Sequence, residues 1–264
     1  MLIGCCSNLV AQGDDKVGIG RFEAIKAAGF DYVELPIANV MELDDEAFEA
    51  LCSKLEELDL KCLRCCNLFP ASVRVTGEEA DYTKVREYLD KAVARMRKLG
   101  AKVVVFGSSG ARNVAEGYPF DLAMLQIVKT IYILDEYGDD DLHFVIEHIC
   151  NLEGNIIKTL EDGCRVHDVC RTKHIDILAD TYHMYIEGEP IENLLLAGSD
   201  LKHVHTANPV GRVYPKPDDG VDYKKMFDLL KSIGYDGGVS VEGYSDNFEE
   251  DAKVAVETLR KAMA

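Results

Sequence analysis

The stretch Lys98–Phe106, KLGAKVVVF, decides the fold of this chain. It places a helix-ending glycine, a short link and a run of β-branched residues in succession, which is typical of a helix that leads into a buried strand. The same order occurs in Ala27–Leu35, AAGFDYVEL, and in Ser232–Glu242, SIGYDGGVSVE. A repeated helix–glycine–strand unit indicates parallel strands joined by helical connections.

Eight such strand candidates alternate with amphipathic segments along the 264 residues. The strand candidates are Leu2–Cys6, Tyr32–Leu35, Cys62–Asn67, Val103–Phe106, His143–His148, Ile175–Asp180, His203–Thr206 and Gly238–Glu242. The amphipathic segments are Arg21–Ala28, Asp45–Leu58, Tyr82–Leu99, Leu122–Glu136, Asn155–Val169, Ile191–Leu196, Tyr223–Ile233 and Asn247–Met263. Because no linker or composition shift separates the units, we expect an α/β protein with one domain over residues 1–264, a (β/α)8 TIM barrel. A doubly wound sheet is the alternative, but the GIGRF stretch at 18–22 lacks the third glycine of a dinucleotide-binding turn.

The composition argues against several classes of partner. Forty-seven acidic residues against 29 lysines and arginines give a formal charge of −18, which repels nucleic acid and anionic membranes and attracts cations. No apolar run reaches the length of a membrane span, and the N-terminus lacks the basic stretch of a secretion signal, so we expect a cytoplasmic protein. The nine cysteines are an odd number with two adjacent pairs, a pattern that predicts free thiols.

Four consecutive strand candidates end in groups that can bind a metal. Strand five carries Glu147, strand six Asp180, strand seven His205 and strand eight Glu242. In a parallel barrel these ends meet at one mouth, where three carboxylates would repel one another unless a divalent cation supplied positive charge. Manganese suits three carboxylates and one imidazole, with Mg²⁺, Co²⁺ or Zn²⁺ as alternatives. For each residue alone, a salt bridge or a helix cap is the competing interpretation, and His203 is the rival of His205 on the same strand.

The segment Ala179–Met184, ADTYHM, also brings an imidazole to this mouth. Asp180 is the expected metal ligand, and His183, three residues later, is placed to reach over the same opening. We therefore expect His183 to contact what the metal holds rather than to bind the metal.

These residues resemble the xylose isomerase-like barrels, and in particular the ketose 3-epimerases of the tagatose and psicose 3-epimerase type. The resemblance is carried by DTYHMYIEGEP at 180–190, by VIEHICNLEG at 145–154 and by DYKKMFDLLKSIGYDGGVSVEGY at 222–244. It implies the same metal ligands, Glu147, Asp180, His205 and Glu242. It further implies that Glu153, His183 and Arg212 bind the hydroxyl groups of the substrate.

Two features depart from that resemblance. The loop after strand seven, HTANPVGRVYPKPDDG, lacks the early acidic residue usual in these epimerases, and the chain has no tryptophan. The identity of the sugar is therefore left open. Glu34, at the end of strand two, has the position of a substrate contact in the family, with a structural ion pair as the alternative.

The resemblance implies a metal-dependent isomerase acting on a sugar or sugar phosphate, and a homodimer or homotetramer. We expect ketose C3 epimerisation through a metal-stabilised enediolate, with Glu147 and Glu242 as catalytic residues that remove and return the proton. Inosose dehydratase and hydroxypyruvate isomerase relatives are alternatives with the same metal. Alternatives of another class are an endonuclease IV-like phosphodiester hydrolase, which would need extra histidines after strands three and four, and a non-catalytic binding barrel.

Overall fold

A computed structural model describes residues 1–264, and its eight strands agree with the expected ones to within two residues at either end. The strands are β1 (Leu2–Cys6), β2 (Tyr32–Pro36), β3 (Cys62–Cys66), β4 (Val103–Phe106), β5 (His143–Glu147), β6 (Ile175–Asp180), β7 (Leu201–Thr206) and β8 (Gly238–Val241). Every neighbouring pair is parallel, and β8 pairs with β1, so the sheet closes in chain order. The expected TIM barrel is confirmed.

Helices follow each strand and surround the barrel. They are α1 (Phe22–Ala28), α2 (Ile37–Val40), α3 (Asp45–Glu57), α4 (Tyr82–Leu99), α5 (Ser109–Arg112), α6 (Phe120–Tyr137), α7 (Leu160–Cys170), α8 (Thr181–Ile186), α9 (Leu194–Ala197), α10 (Tyr223–Ser232) and α11 (Phe248–Met263). Short 3-10 helices lie at Asn8–Val10, Ile19–Arg21, Ile191–Asn193 and Gly198–Asp200. None of the helices combines the length and the apolar character needed to cross a bilayer.

The largest difference from the sequence pattern is the start of α7, five residues later than predicted. The sequence pattern predicts a start at Asn155, but α7 begins at Leu160 because Thr159 caps it. The Thr159 hydroxyl accepts the N–H of Asp162, and the Asp162 carboxylate accepts the N–H of Thr159. This reciprocal capping box satisfies N–H groups at the helix start, so residues 155–158 remain outside the helix.

The barrel interior is divided into an apolar half and a polar half. Cys66, Val103, Val105, Val145 and Leu178 form the buried apolar cluster. The larger hydrophobic core lies in 63 other buried residues, many of them on the helices around the barrel. Polar groups fill the other half of the interior: Tyr32, Glu34, Arg64, His203 and Ser240 are all buried.

Two glycines make room for the bulky polar side chains. A Cβ atom at Gly4 would lie 2.1 Å from the Tyr32 ring, and one at Gly238 would lie 2.4 Å from the Arg64 guanidinium carbon. Side chains at these two positions would therefore displace the polar half of the interior. The polar residues lie between the bottom of the barrel and its carboxyl-end mouth, where the candidate site is built.

Candidate active site

Four side chains from four adjacent strands converge at the carboxyl-end mouth. Glu147 and Asp180 end β5 and β6, His205 lies one residue before the end of β7, and Glu242 follows β8. All four are buried, and their potential ligand atoms lie within 4.8 Å of one another. The structure thus brings together the four residues that the strand ends predicted as metal ligands.

Asp180 is both the last residue of β6 and the N-cap of α8, the helix that carries His183. Its Oδ1 atom accepts the backbone N–H groups of Tyr182 at 2.7 Å and His183 at 3.3 Å, so Asp180 caps the N-terminus of α8. This capping fixes the carboxylate and leaves Oδ2, which is buried, without a hydrogen-bond partner. Oδ2 lies in the cluster, where it could bind a cation.

His205 lies next to two of the three carboxylates of the cluster. Its Nδ1 atom lies 3.3 Å from Glu147 Oε1 and 3.4 Å from Glu242 Oε2, but forms no hydrogen bond of acceptable direction. A buried polar atom without a partner costs free energy, as do three buried carboxylates that have one guanidinium, that of Arg212, as their permanent counter-charge. A divalent cation bound by Nδ1 and the three carboxylates would satisfy both, so the residues present fit a metal ion.

The pKa shifts show that the cluster stabilises positive charge. Burial alone would lower the pKa of His205, but Glu34 and Glu242 raise it well above its ordinary value. Burial alone would raise the pKa of Glu242, but the Arg212 guanidinium and His205 hold it below its ordinary value. The pKa of Glu147 is raised by its burial. Two carboxylates at one mouth therefore differ in how readily they hold a proton, as acid and base pairs often do.

The three residues expected to bind substrate surround the same cluster. The Arg212 Nη1 atom donates to both carboxylate oxygens of Glu153, at 2.9 and 3.0 Å, and Nη2 donates to Glu242. The guanidinium also stacks on the Tyr182 ring, 4.6 Å from its centroid. His183 places Nε2 3.6 Å from Asp180 Oδ2, while its Nδ1 contacts the Cys150 thiol at 3.2 Å.

The structure also separates the two histidines of β7. His203 lies deeper in the barrel, where its Nε2 atom contacts Glu34 Oε2 at 2.7 Å, and it is not part of the four-residue cluster. The polar side chain of Glu34 is fully buried and bonds both histidines, so its contacts are with the protein itself. Of the two interpretations of Glu34, the structure favours the ion pair.

Three supporting residues were missed in the sequence. A Cβ atom at Gly107 would lie 1.7 Å from Glu147 Oε2, so only glycine leaves space for that carboxylate. Arg112 is fully buried and donates to the carbonyl groups of Phe106 and Glu147, at 2.9 and 2.6 Å. His148 Nε2 accepts the backbone N–H of Asp180 at 3.2 Å. For Gly107, its position directly after β4 is a signal that the sequence offers. No local pattern marks Arg112 or His148 as supports of the site.

Comparison with known proteins identifies the family. A family model described as xylose isomerase-like TIM barrel matches residues 22–262. The chain belongs to this family. The fold and the family expected from the sequence are thereby confirmed.

The relatives of this xylose isomerase-like barrel include sugar epimerases. The chain is 28% identical over 256 residues to a ketose 3-epimerase from Arthrobacter globiformis, covering 94% of this chain and 85% of the relative. It is 31% identical over 231 residues to a 3-dehydro-D-guloside 4-epimerase from Escherichia coli strain K12, covering 84% of this chain and 86% of the relative. Among solved structures, the D-allulose 3-epimerase from Methylomonas sp. in complex with D-allulose matches with a TM-score of 0.86 at 23% identity, covering 99% of this chain and 97% of that one. That last similarity concerns the fold.

Proposed function

We propose that this protein is a divalent-metal-dependent sugar epimerase that inverts a carbon atom next to a ketone, with C3 epimerisation of a ketose as its reaction. The observation that carries the proposal is the buried convergence of Glu147, Asp180, His205 and Glu242, with ligand atoms within 4.8 Å of one another. The names of the curated relatives, a ketose 3-epimerase and a sugar 4-epimerase, support the same reaction class.

The four clustered residues would hold one cation, and manganese is favoured by the set of three carboxylates and one imidazole, with Mg²⁺, Co²⁺ or Zn²⁺ as alternatives. When bound, a divalent cation supplies Lewis acidity to oxygen atoms of the substrate, which acidifies the neighbouring C–H bond. Asp180 is fixed for this role by its capping of α8, and His205 by its contact with Glu34.

Glu147 and Glu242 transfer the proton in the proposed reaction. Glu147 ends β5 and Glu242 directly follows β8, and these strands are the two ends of the row of four that bear the cluster. One carboxylate removes the proton from the carbon next to the carbonyl, and the other returns a proton to the opposite face, which inverts the centre. Return of the proton to the former carbonyl carbon would instead move the ketone to C3, whereas aldose–ketose isomerisation would require the proton to be taken from C1.

Glu153, His183 and Arg212 orient the substrate. Arg212 already spans from Glu153 to Glu242, so a hydroxyl group bound by the guanidinium would lie beside a proton-transferring carboxylate. The chain has no glycine-rich phosphate-binding loop after β7 and β8, which favours a free sugar over a sugar phosphate.

A second candidate substrate is a 3-keto sugar epimerised at C4, because the Escherichia coli relative named for that class is 31% identical to the chain. The proton transfer is of the same kind. The ketone is at C3 instead of C2, and the inverted carbon, C4, is again next to it. The nuclease alternative is disfavoured because residues 67–70 and 107–110, which follow β3 and β4, contain no histidine.

Deuterium exchange tests the proposal directly. The Mn²⁺-loaded protein is incubated in D2O with free ketohexoses, ketohexose phosphates, 3-keto glycosides, inososes and hydroxypyruvate, and label in the substrate is measured by mass spectrometry. Cleavage of abasic DNA is assayed in parallel. We expect exchange and epimer formation, and a loss of at least ~10²-fold in exchange on Glu147→Gln or Glu242→Gln. Glu136→Gln is the matched control, because Glu136 is exposed on α6 and pairs with Arg86 far from the mouth.

Three outcomes would contradict the proposal. The first is wild-type exchange in both glutamine variants, which would remove the paired carboxylates from the mechanism. The second is turnover only of inososes or hydroxypyruvate, which would assign the dehydratase or keto-acid isomerase alternative. The third is nicking of abasic DNA, or metal binding with no turnover across the whole panel.

A further inference from the structure

We propose that Glu34 is a positioning residue for the metal site: it holds the His205 ring through Nε2, so that Nδ1 is presented to the cation. The inference rests on the metal site proposed above. It concerns a residue of β2, a strand that contributes none of the four clustered ligands.

The contact crosses the interior of the barrel. Glu34 and His205 are 171 residues apart and lie on β2 and β7, which are not neighbours in the sheet. Both are fully buried, and Glu34 Oε1 lies 3.0 Å from His205 Nε2. Since the two strands do not pair, no backbone hydrogen bond joins them directly, and the contact between the two side chains spans the barrel interior.

The Glu34 carboxylate is held in place by further partners. Its Oε2 atom accepts the Ser240 hydroxyl at 2.6 Å and contacts His203 Nε2 at 2.7 Å. The Tyr32 hydroxyl in turn lies 2.7 Å from Ser240 Oγ. Each carboxylate oxygen is therefore engaged, and Oε1 is the one that faces His205. A carboxylate with both oxygens bonded cannot easily rotate away from the ring it supports.

The proton arrangement follows from hydrogen-bond chemistry. An ionised carboxylate only accepts, so the bond to Glu34 requires a proton on His205 Nε2. In the neutral imidazole that binds metals, the lone pair must then be on Nδ1. Nδ1 is the atom that lies 3.3 and 3.4 Å from Glu147 and Glu242 and has no hydrogen-bond partner. Glu34 thus selects the tautomer and the ring orientation that the cluster needs.

A purely structural role for Glu34 would lead to a different experimental result. If Glu34 only tied β2 to β7, its loss would lower stability and leave metal affinity unchanged. A positioning role predicts weaker metal binding in a protein that remains folded. Glu34→Gln separates these cases, because glutamine has the same shape but lacks the charge and can place an NH2 group against one of the two rings.

The test is calorimetric titration of Mn²⁺ into chelator-treated protein. We expect Glu34→Gln to raise the Kd about 10- to 100-fold, the usual effect of removing a residue that supports a metal ligand. Tyr32→Phe is the matched control, because Tyr32 belongs to the same buried network but does not contact His205. It should leave the Kd at the wild-type value, while circular dichroism confirms that both variants are folded.

A second measurement needs no substitution and applies even if Glu34→Gln fails to fold. Long-range ¹H–¹⁵N correlation spectra of the Mg²⁺-loaded wild-type protein should show the His205 proton on Nε2. A proton on Nδ1, or equal Mn²⁺ affinity in wild type and Glu34→Gln, would overturn the positioning role alone. Failure of the wild-type protein to bind Mn²⁺ would overturn the proposed metal site as well, so the two failures are distinguishable.

Discussion

Replacing Gly107 with alanine should disable the site without unfolding the protein. The added Cβ atom would lie 1.7 Å from Glu147 Oε2 and 2.9 Å from Cδ, whereas ordinary contact begins near 3.4 Å. The carboxylate oxygen must therefore retreat by about 1.7 Å, and a misplacement of about 1 Å at a reacting group can cost ~10²-fold in rate. We expect Gly107→Ala to lower kcat/KM by at least ~10²-fold and to weaken Mn²⁺ binding.

The fold should tolerate the same change. All three atoms that the new methyl group meets belong to the Glu147 side chain, which can rotate, and Gly107 does not have the positive φ that disfavours alanine. The expected change in the free energy of unfolding is below about 1 kcal/mol, measured by urea denaturation. Gly163→Ala is the control. Gly163 lies within helix α7, and a Cβ atom there would meet only Ile157 Cγ2, at 3.9 Å. Wild-type activity and metal affinity in Gly107→Ala would refute the steric reasoning.

Four further predictions concern the supports of the site and the fold. Arg112→Lys should destabilise the protein by about 1–3 kcal/mol in urea denaturation, because the single lysine nitrogen replaces the two guanidinium nitrogens that reach the Phe106 and Glu147 carbonyls separately; an unchanged midpoint would contradict this. Arg212→Lys should lower kcat/KM by ~10- to 100-fold through the loss of a charge-assisted hydrogen bond, with steady-state kinetics as the assay and unaltered kinetics as the contrary result. Thr159→Ala should cost about 1 kcal/mol of stability by removing the cap of α7, and an unchanged unfolding curve would argue against the cap. Chelation of the metal should abolish deuterium exchange and lower the melting temperature, and re-addition of Mn²⁺ should restore both; exchange that persists in the chelated protein would be inconsistent with a metal-dependent reaction.

The sequence predicted the architecture because the signals for it are local. A glycine after a helix and a run such as Val103–Phe106 are read within ten residues, and eight repeats of this unit are compatible with a closed parallel barrel. The four clustered residues were also predictable, since the topology of a parallel barrel brings all strand ends to one mouth. A charged or imidazole side chain at such an end, as in Asp180, is therefore a local feature of the sequence.

Tertiary structure alone decided how those groups are held. The bond between Glu34 and His205 joins residues 171 positions apart, and the clash that excludes a side chain at 107 depends on where the Glu147 carboxylate lies. The buried Arg112 likewise joins two carbonyl groups on neighbouring strands. Hydrogen bonds and steric exclusion vary steeply over less than 1 Å, and distances of that accuracy arise only when the barrel closes and its interior packs. Local sequence determines which residues reach the mouth, whereas the packed interior determines their orientation, their proton positions and the space between them.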